Sequence, residues 1–540
     1  MGLHLSFYTN FQHLDKSEWE NAYQETLTVL KKFPIPLVCL TEQTVLGKKR
    51  HVWSSKLVKN TNKANEHWSL EGDLWSSKTG ETFKLYRHMI ERMSGEDGGE
   101  RVARAFSEHS VFHSSTDYDF ANAEFGVGVF GGWDPKTQGY PFHLAILAAC
   151  MVLENHFEGR GYVFGDFDMT QAQEMQKWLS FQLKREILLP VCLDPQRLWK
   201  YLRQNNDEKH AIERFITLIR LDPVQTYRAL SELVDRKTLF ETLAKEMNSY
   251  SEISQNGAVK IWSTVLEVWD DVDILLEFIE VVNQNRDKKE PFELAKLLKA
   301  LCNDYVSINP ILKENLDLLK RKKGDLTTVE DSFTDIMALL GGMKTPNLRV
   351  YIPKEEIWEA FMAKDPINAA LYREILDKAE EKNLKDLEKI NQEIAEIEEK
   401  LATQTPKESD SDDQDEKIVL ESPEIDRYIV RQTLLQCPKF ADLGDSLAKM
   451  GGQIRGNLKP NKFVFDTLDE YKQSIYEYSH LNGFALSDKT WEKIDQLEDR
   501  ELLRIFALLS ALKMDEMSAW KWRLYAFEHT EHWERFRDAK

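Results

Sequence analysis

The sequence predicts an α+β protein: an N-terminal α/β domain with a mixed sheet, followed by a large all-α region. Three observations carry that expectation. Residues 142–195 run helix, strand, helix, strand and the start of another helix. Before position 205, short apolar runs alternate with turn signals, as strands do. After Trp199 the apolar residues recur at helical spacing instead.

The stretch Phe142–Leu153 is apolar almost all round, the pattern of a helix buried on several sides. It is far shorter than the roughly 20 residues needed to cross a bilayer. Gly159 and Gly161 break it. Tyr162-Val163-Phe164 is a strand bounded by Gly161 and Gly165. Capping-box spacing at Asp168/Gln171 or Thr170/Gln173 then starts a helix whose apolar stripe is Ala172, Met175, Trp178, Leu179 and Leu183. Ile187 to Cys192 reads as a second strand, with Pro190 suggesting an edge or an early end. Asp194-Pro195 opens the next helix. Strand, helix and strand in so few residues predict a βαβ unit with a parallel pair.

Upstream, Leu3, Leu5 and Phe7 alternate as an opening strand. Ser17-Glu18-Trp19-Glu20 is spaced as a capping box for a helix running to about Lys31. Leu37 to Leu40 reads as a strand, and His67–Trp75 with Glu81–Arg87 as a hairpin. Beyond 205, helical periods such as Ile274-Leu275-Phe278-Ile279-Val282 are broken at Asp222-Pro223, Gly257, Pro291, Pro310 and Gly341-Gly342. No repeat of 34 to 45 residues holds, so a non-repeating helical domain is expected. Leu387, Ile390, Ile394, Ile397 and Leu401 form a short coiled-coil seam or one side of a helical hairpin. The expected domains are therefore 1–205, a helical 206–376, an arm at 377–402, an acidic disordered linker at 403–422 and a helical 423–540. The last segment crowds Trp520, Trp522, Tyr525, Phe527, Trp533 and Phe536, as a packed helical core does.

Composition narrows the function classes. A chain of 540 residues with 42% hydrophobic and 30% charged residues falls in the soluble globular range. No run of 18 apolar residues occurs, and no basic segment precedes an apolar one at the N-terminus, so neither a membrane partner nor a secretory signal is expected. Cys39, Cys150, Cys192, Cys302 and Cys437 show no CxxC pairing, which points to a reducing, cytoplasmic setting. The net charge is −20, with 22 basic and 25 acidic side chains in residues 1–200 and 49 and 66 in the remainder. A nucleic-acid partner needs a basic face, and none is evident. A basic protein partner suits an acidic helical region better.

Several patterns bear on chemistry. Gly126 to Gly131 fits GxGxxG by letter, but glycine and Asp134-Pro135 follow where a helix should open. His109/His113 and His529/His532 have helical spacing without a third metal ligand in view. Asp410, Asp412, Gln414 and Glu421 mimic a calcium loop, yet Asp415 stands where the sharp turn needs glycine. Met1-Gly2 to Ser6 matches a myristoylation pattern, against which the alternation of Leu3, Leu5 and Phe7 sets a buried strand.

Asp166-Phe167-Asp168-Met169-Thr170 follows an apolar strand and precedes a helix. It resembles the first motif of the haloacid-dehalogenase-like phosphatases. The resemblance implies Asp166 as the nucleophile on phosphorus, Asp168 as general acid and base, and a magnesium ion in the site. It covers five residues, and the helical region that follows departs from that family's alternating strands and helices. The alternative is that Asp166 ends a strand and Asp168 caps a helix. No catalytic, metal or cofactor residue is therefore assigned. The expected function is an interaction or regulatory protein whose acidic helical region binds a basic protein, an immunity- or defence-associated protein being one such case. The alternative is a magnesium-dependent phosphoryl hydrolase using Asp166 and Asp168.

Overall fold

The computed structural model describes residues 3–59, 65–76, 78–93, 110–113, 127–130, 135–286, 289–326, 348–403, 426–434, 463–511 and 517–538. The chain divides into two compact units, one of residues 1–205 with 420–540 and the other of residues 206–419.

The first unit opens with β1 (Leu5–Thr9), then α1 (Lys16–Lys31). Asp15, not Ser17, caps α1: its carboxylate accepts the amides of Ser17 (2.8 Å) and Glu18 (3.2 Å). A carboxylate two residues upstream satisfies the first orphan donors, which leaves Ser17 inside the first turn. Next come β2 (Leu37–Val45) and β3 (Lys48–Ser54). They join through Leu46 (φ 50°) and Gly47 (φ 76°), the two left-handed positions that a tight hairpin of matching twist requires. The segments β4 (Val58–Lys59), β5 (His67–Asp73) and β6 (Lys78–Tyr86) complete an antiparallel array in which β5 pairs β2, β4 and β6.

After α2 (Met89–Met93), the two-residue β7 (Val127–Gly128) pairs with β1. The helix α3 (His143–His156) is buried from His143 through Glu154, as its uniformly apolar pattern requires. It packs on α1, β1, β8 (Gly161–Gly165) and α4 (Met169–Leu183). Strand β8 pairs with β1, and β1 stands between β7 and β8 in an antiparallel three-stranded sheet.

The expected βαβ unit is absent. Residues 187–192 form no strand, because side chains take their backbone amides. Ser180 Oγ accepts from Ile187, Asn155 Oδ1 from Leu188 and Glu154 Oε2 from Val191. With those donors satisfied, the segment has no ladder to make, and Pro190 leads into a single 3₁₀ turn at Val191–Leu193. The helix α5 (Pro195–Asn205) follows.

Gly165 has φ +149°, and a Cβ there would lie 2.4 Å from the carbonyl oxygen of His4 and 2.8 Å from Leu5 Cα. Gly165→Ala should cost about 2–4 kcal/mol through backbone strain and the clash with β1. Gly47→Ala, where a Cβ meets nothing within 4 Å, should cost about 1 kcal/mol. Urea unfolding of both variants checks this, and equal losses at the two sites would contradict the steric reading.

The second unit is built of helices α6 (Glu208–Leu218), α7 (Pro223–Leu233), α8 (Arg236–Met247), α9 (Asn256–Trp269), α10 (Val272–Gln284) and α11 (Leu294–Asp304). Asp207, Asp222, Asp235 and Asp271 cap four of them, each accepting the amide three residues on. A two-residue parallel pair, β9 (Val306–Ser307) with β10 (Val350–Tyr351), interrupts the helices on either side of α12 (Pro310–Leu326). Then come α13 (Lys354–Lys364) and the 35-residue α14 (Ala369–Thr403).

The seam of α14 is filled from within this chain: Leu387, Ile390, Ile394 and Ile397 pack on Leu312, Leu316 and Leu319 of α12. The pairs Ser307–Asn383, Asn315–Asn391 and Lys322–Glu398 all differ by 76 positions, so α12 and α14 run parallel. The segment expected as an arm, 377–402, is thus the greater part of one packed helix that begins at Ala369.

The chain then returns to the first unit with α15 (Arg427–Leu434), α16 (Leu468–Leu481), β11 (Leu486–Ser487), α17 (Asp488–Gln496), α18 (Arg500–Ala511), α19 (Met517–Glu528) and α20 (Trp533–Asp538). Residues 423–540, expected as a domain apart, contribute to the N-terminal unit directly. Leu486 and Ser487 pair in parallel with Val52 and Trp53, which makes the larger sheet mixed, in the order β11-β3-β2-β5-β4 with β6 on β5. Val38, Val52 and Trp53 share a core with Tyr471, Trp491, Phe506, Phe527 and Trp533. Ile429 enters the other core, beside α3, and Asp426 accepts the indole N–H of Trp178 at 2.8 Å. Among the described residues no helix is long and apolar enough to cross a membrane. The linker expected at 403–422 and the calcium-like loop fall almost wholly outside the described residues.

Candidate functional site

Asp166 and Asp168 stand where β8 gives way to α4. Asp168 accepts the amide of Gln171 at 2.8 Å, and Gln171 Oε1 accepts the amide of Asp168 in return, a complete capping box. Asp166 Oδ2 accepts from the amide of His4 (3.0 Å) and lies 2.9 Å from His4 Nδ1. The buried His143 is close by; burial, partly offset by the nearby Asp166 carboxylate, holds its imidazole down at about 4, so the ring is neutral. Its Nδ1 lies 2.6 Å from Thr137 Oγ1.

The side chains placed beside Asp166 are thus the imidazoles of His4 and His143. A magnesium site needs a set of hard oxygen ligands. Among the described residues neither Asp166 nor Asp168 belongs to a group of three metal-ligating side chains. Among the described residues the strand before them, β8, pairs with β1 alone and antiparallel, whereas the phosphatase motif calls for the end of a central parallel strand. Both carboxylates thus do structural work: one ties β8 to the chain entering β1, and the other starts α4.

The other sequence patterns disperse in the same way. Val127 and Gly128 form the edge strand β7, while Gly126 and Gly131 lie outside the described residues, as does His109. His529 Nδ1 lies 2.9 Å from Glu531. Leu5 and Phe7 are buried in β1. Cys39, Cys150, Cys192 and Cys302 are buried and take part in no disulfide, and Cys437 lies outside the described residues.

Two arrangements not foreseen from the sequence carry more chemistry. The first is Glu154, fully inside the core near the end of α3. Its Oε1 accepts from Val163 N–H (2.9 Å) and its Oε2 from Val191 N–H (2.8 Å), so one carboxyl bridges β8 and the 3₁₀ turn. Burial pushes this carboxyl up to about 7, with the two amides and Arg197 pulling against it. The recess beside it, bordered by Glu158, Arg197 and Tyr201, has room for about one water molecule, too little for a substrate.

The second arrangement brings Glu42, His51 and His480 together on the β2–β3 hairpin and the end of α16. Glu42 and His51 face each other across the β2–β3 ladder. His480 Nδ1 lies 3.1 Å from His51 Nε2 and 3.5 Å from Glu42 Oε2. All three ligand atoms fall within 4.8 Å of one another. Burial, together with the neighbouring His480, lowers the pKa of His51 below the ordinary imidazole value. No local spacing announces this trio, since His51 and His480 are 429 positions apart. Only the pairing of β2 with β3 and the return of the C-terminal helices bring it together.

No protein-family model, no curated protein and no solved structure matches the chain at a significant level.

Proposed function

We propose that this chain is a soluble, cytoplasmic interaction protein that binds a basic protein partner through its acidic helical unit. The observation that carries the reading is the charge distribution. Residues 206–419 hold 45 acidic and 30 basic side chains, a net −15 out of the chain's −20. Residues 261–285 contain six carboxylates and no Lys, Arg or His.

Within that run, Glu267, Glu277 and Glu280 are paired with Arg349, Arg236 and Lys364. The excess is left at the α9–α10 junction, where Asp270 and Asp273 are exposed and Asp271 caps the helix. Such a negative projection attracts a cationic surface over about a Debye length and raises its association rate. Rim charges of this kind act mainly on the rate of association and its salt dependence.

The test is capture of partners from the cells that make the protein, followed by binding of the purified partner. A basic protein is expected, with affinity falling steeply as salt rises. Asp270→Lys with Asp273→Lys should slow association about tenfold without unfolding the unit, because neither side chain is buried. An acidic partner, or association indifferent to both salt and the double variant, would rule the reading out.

A further inference from the structure

We propose that Glu42, His51 and His480 form a binding site for a borderline divalent metal ion of the zinc type, which staples the β2–β3 hairpin to the C-terminal helix α16. Imidazole nitrogen with a single carboxylate oxygen is the donor set that zinc and its neighbours prefer, and three protein ligands leave a fourth position for water. Metal–ligand bonds of about 2.0–2.1 Å at tetrahedral angles place ligand atoms about 3.3 Å apart. The two edges meeting at His480 Nδ1 measure 3.1 and 3.5 Å. Each of the three side chains offers a ligand atom within 4.8 Å of the other two, and Glu42 is exposed, so its side chain has room to adjust to an ion.

A histidine–histidine hydrogen bond alone accounts for less of the geometry. It explains the 3.1 Å contact, but not why Glu42 Oε2 turns toward the same nitrogen. Lys49 holds the other carboxylate oxygen, Oε1, at 2.8 Å, which leaves Oε2 directed at the rings. Nδ1 of His51 is buried without a hydrogen-bond partner, so the ring's polar contact is made through Nε2, toward the trio. The half-exposed rings and the exposed carboxylate leave an entry path for an ion.

The ligands come from both ends of the sequence within one unit, so occupancy should stabilise the attachment of α16 to the sheet, as binding to the folded form alone always does. The full-length chain, stripped with a chelator, is titrated with zinc by calorimetry, and with cobalt for its visible spectrum. One equivalent of saturable uptake is expected, with a nitrogen-and-oxygen cobalt spectrum and a higher melting temperature. Glu42→Gln, an exposed position with little risk to folding, should weaken uptake, and His51→Ala or His480→Ala should weaken it by more than about tenfold. His529→Gln with His532→Gln should leave it unchanged. No saturable uptake by the wild type, or uptake unaffected by Glu42→Gln and lost on changing His529 and His532, overturns the proposal and leaves a plain histidine pair.

Discussion

Replacing Glu154 with alanine is expected to lower the unfolding free energy of the first unit by about 2–5 kcal/mol at pH 5, and by clearly less at pH 8. The amides of Val163 and Val191 both donate to this carboxyl in the core, and alanine leaves each without an acceptor. An unsatisfied buried donor costs about 1–3 kcal/mol.

The pH dependence follows from where the carboxyl titrates. Its folded value, raised to about 7 by burial, lies above an unfolded value of about 4.3. Between those two values the folded chain binds more proton than the unfolded chain, so stability falls as pH rises. The neutral acid's contribution is fully present below the unfolded value and is lost as pH climbs through the folded one. Alanine has no such slope, so the stabilities of wild type and variant should converge toward pH 8. Glu154→Gln separates the two effects: it cannot ionise, and its amide nitrogen faces one of the donors, so it should lose the slope while keeping part of the bonding. Urea unfolding at several pH values between 5 and 8 measures all three proteins. Parallel curves for wild type and alanine variant would show that this carboxyl does not govern the acid side of the stability profile.

Glu154 also illustrates what a linear pattern reveals. The alternation of Leu5 and Phe7, the apolar run of α3 and the pairing of β5 with β6 are local signals, and each element is present, although β6 opens at Lys78, three residues before Glu81. The run Ile187–Cys192 carries the same apolar signal, yet its amides go to Ser180, Asn155 and Glu154 on neighbouring helices. Strand composition describes which side chains suit a sheet; it does not reveal which acceptor reaches the backbone first. Asp15 displaced Ser17 as a cap for a similar reason: its carboxylate reaches the amides of Ser17 and Glu18, so the helix has begun before Ser17 could cap it. β3 has no local signal of its own, because Leu46-Gly47 lacks the Asn-Gly or Asp-Gly signature of a tight hairpin. The pairing of β11 with β3, and with it the meeting of Glu42, His51 and His480, depends on residues more than 400 positions apart, where no period operates.

Arg50→Met is expected to loosen that long-range attachment, with a loss of about 2–4 kcal/mol. The Arg50 side chain is 8% exposed, and its Nη1 donates to both oxygens of Asp495 on α17, at 2.9 and 3.0 Å. The guanidinium lies over the rings of Tyr476 and Trp491, at 5.2 and 4.9 Å from their centroids, and also donates to Gln43 Oε1. Beside it, the indole N–H of Trp491 donates to the carbonyl of His51 at 2.9 Å. Breaking a fully buried ion pair costs about 3–5 kcal/mol, but Asp495 is 33% exposed and water can recover part of its solvation, which sets the lower figure. Lysine keeps the charge and loses the planar fork and the stacking, so Arg50→Lys should fall between wild type and methionine. Because the two partners act as one unit, Arg50→Met combined with Asp495→Asn should cost less than the sum of the single changes. Hydrogen exchange locates the effect: in Arg50→Met the amides of β11 and α17 should lose protection before those of β1 and β8. Additive single losses, or protection falling evenly across the unit, would mean that Arg50 supports the core at large and does not hold the C-terminal segment against β3.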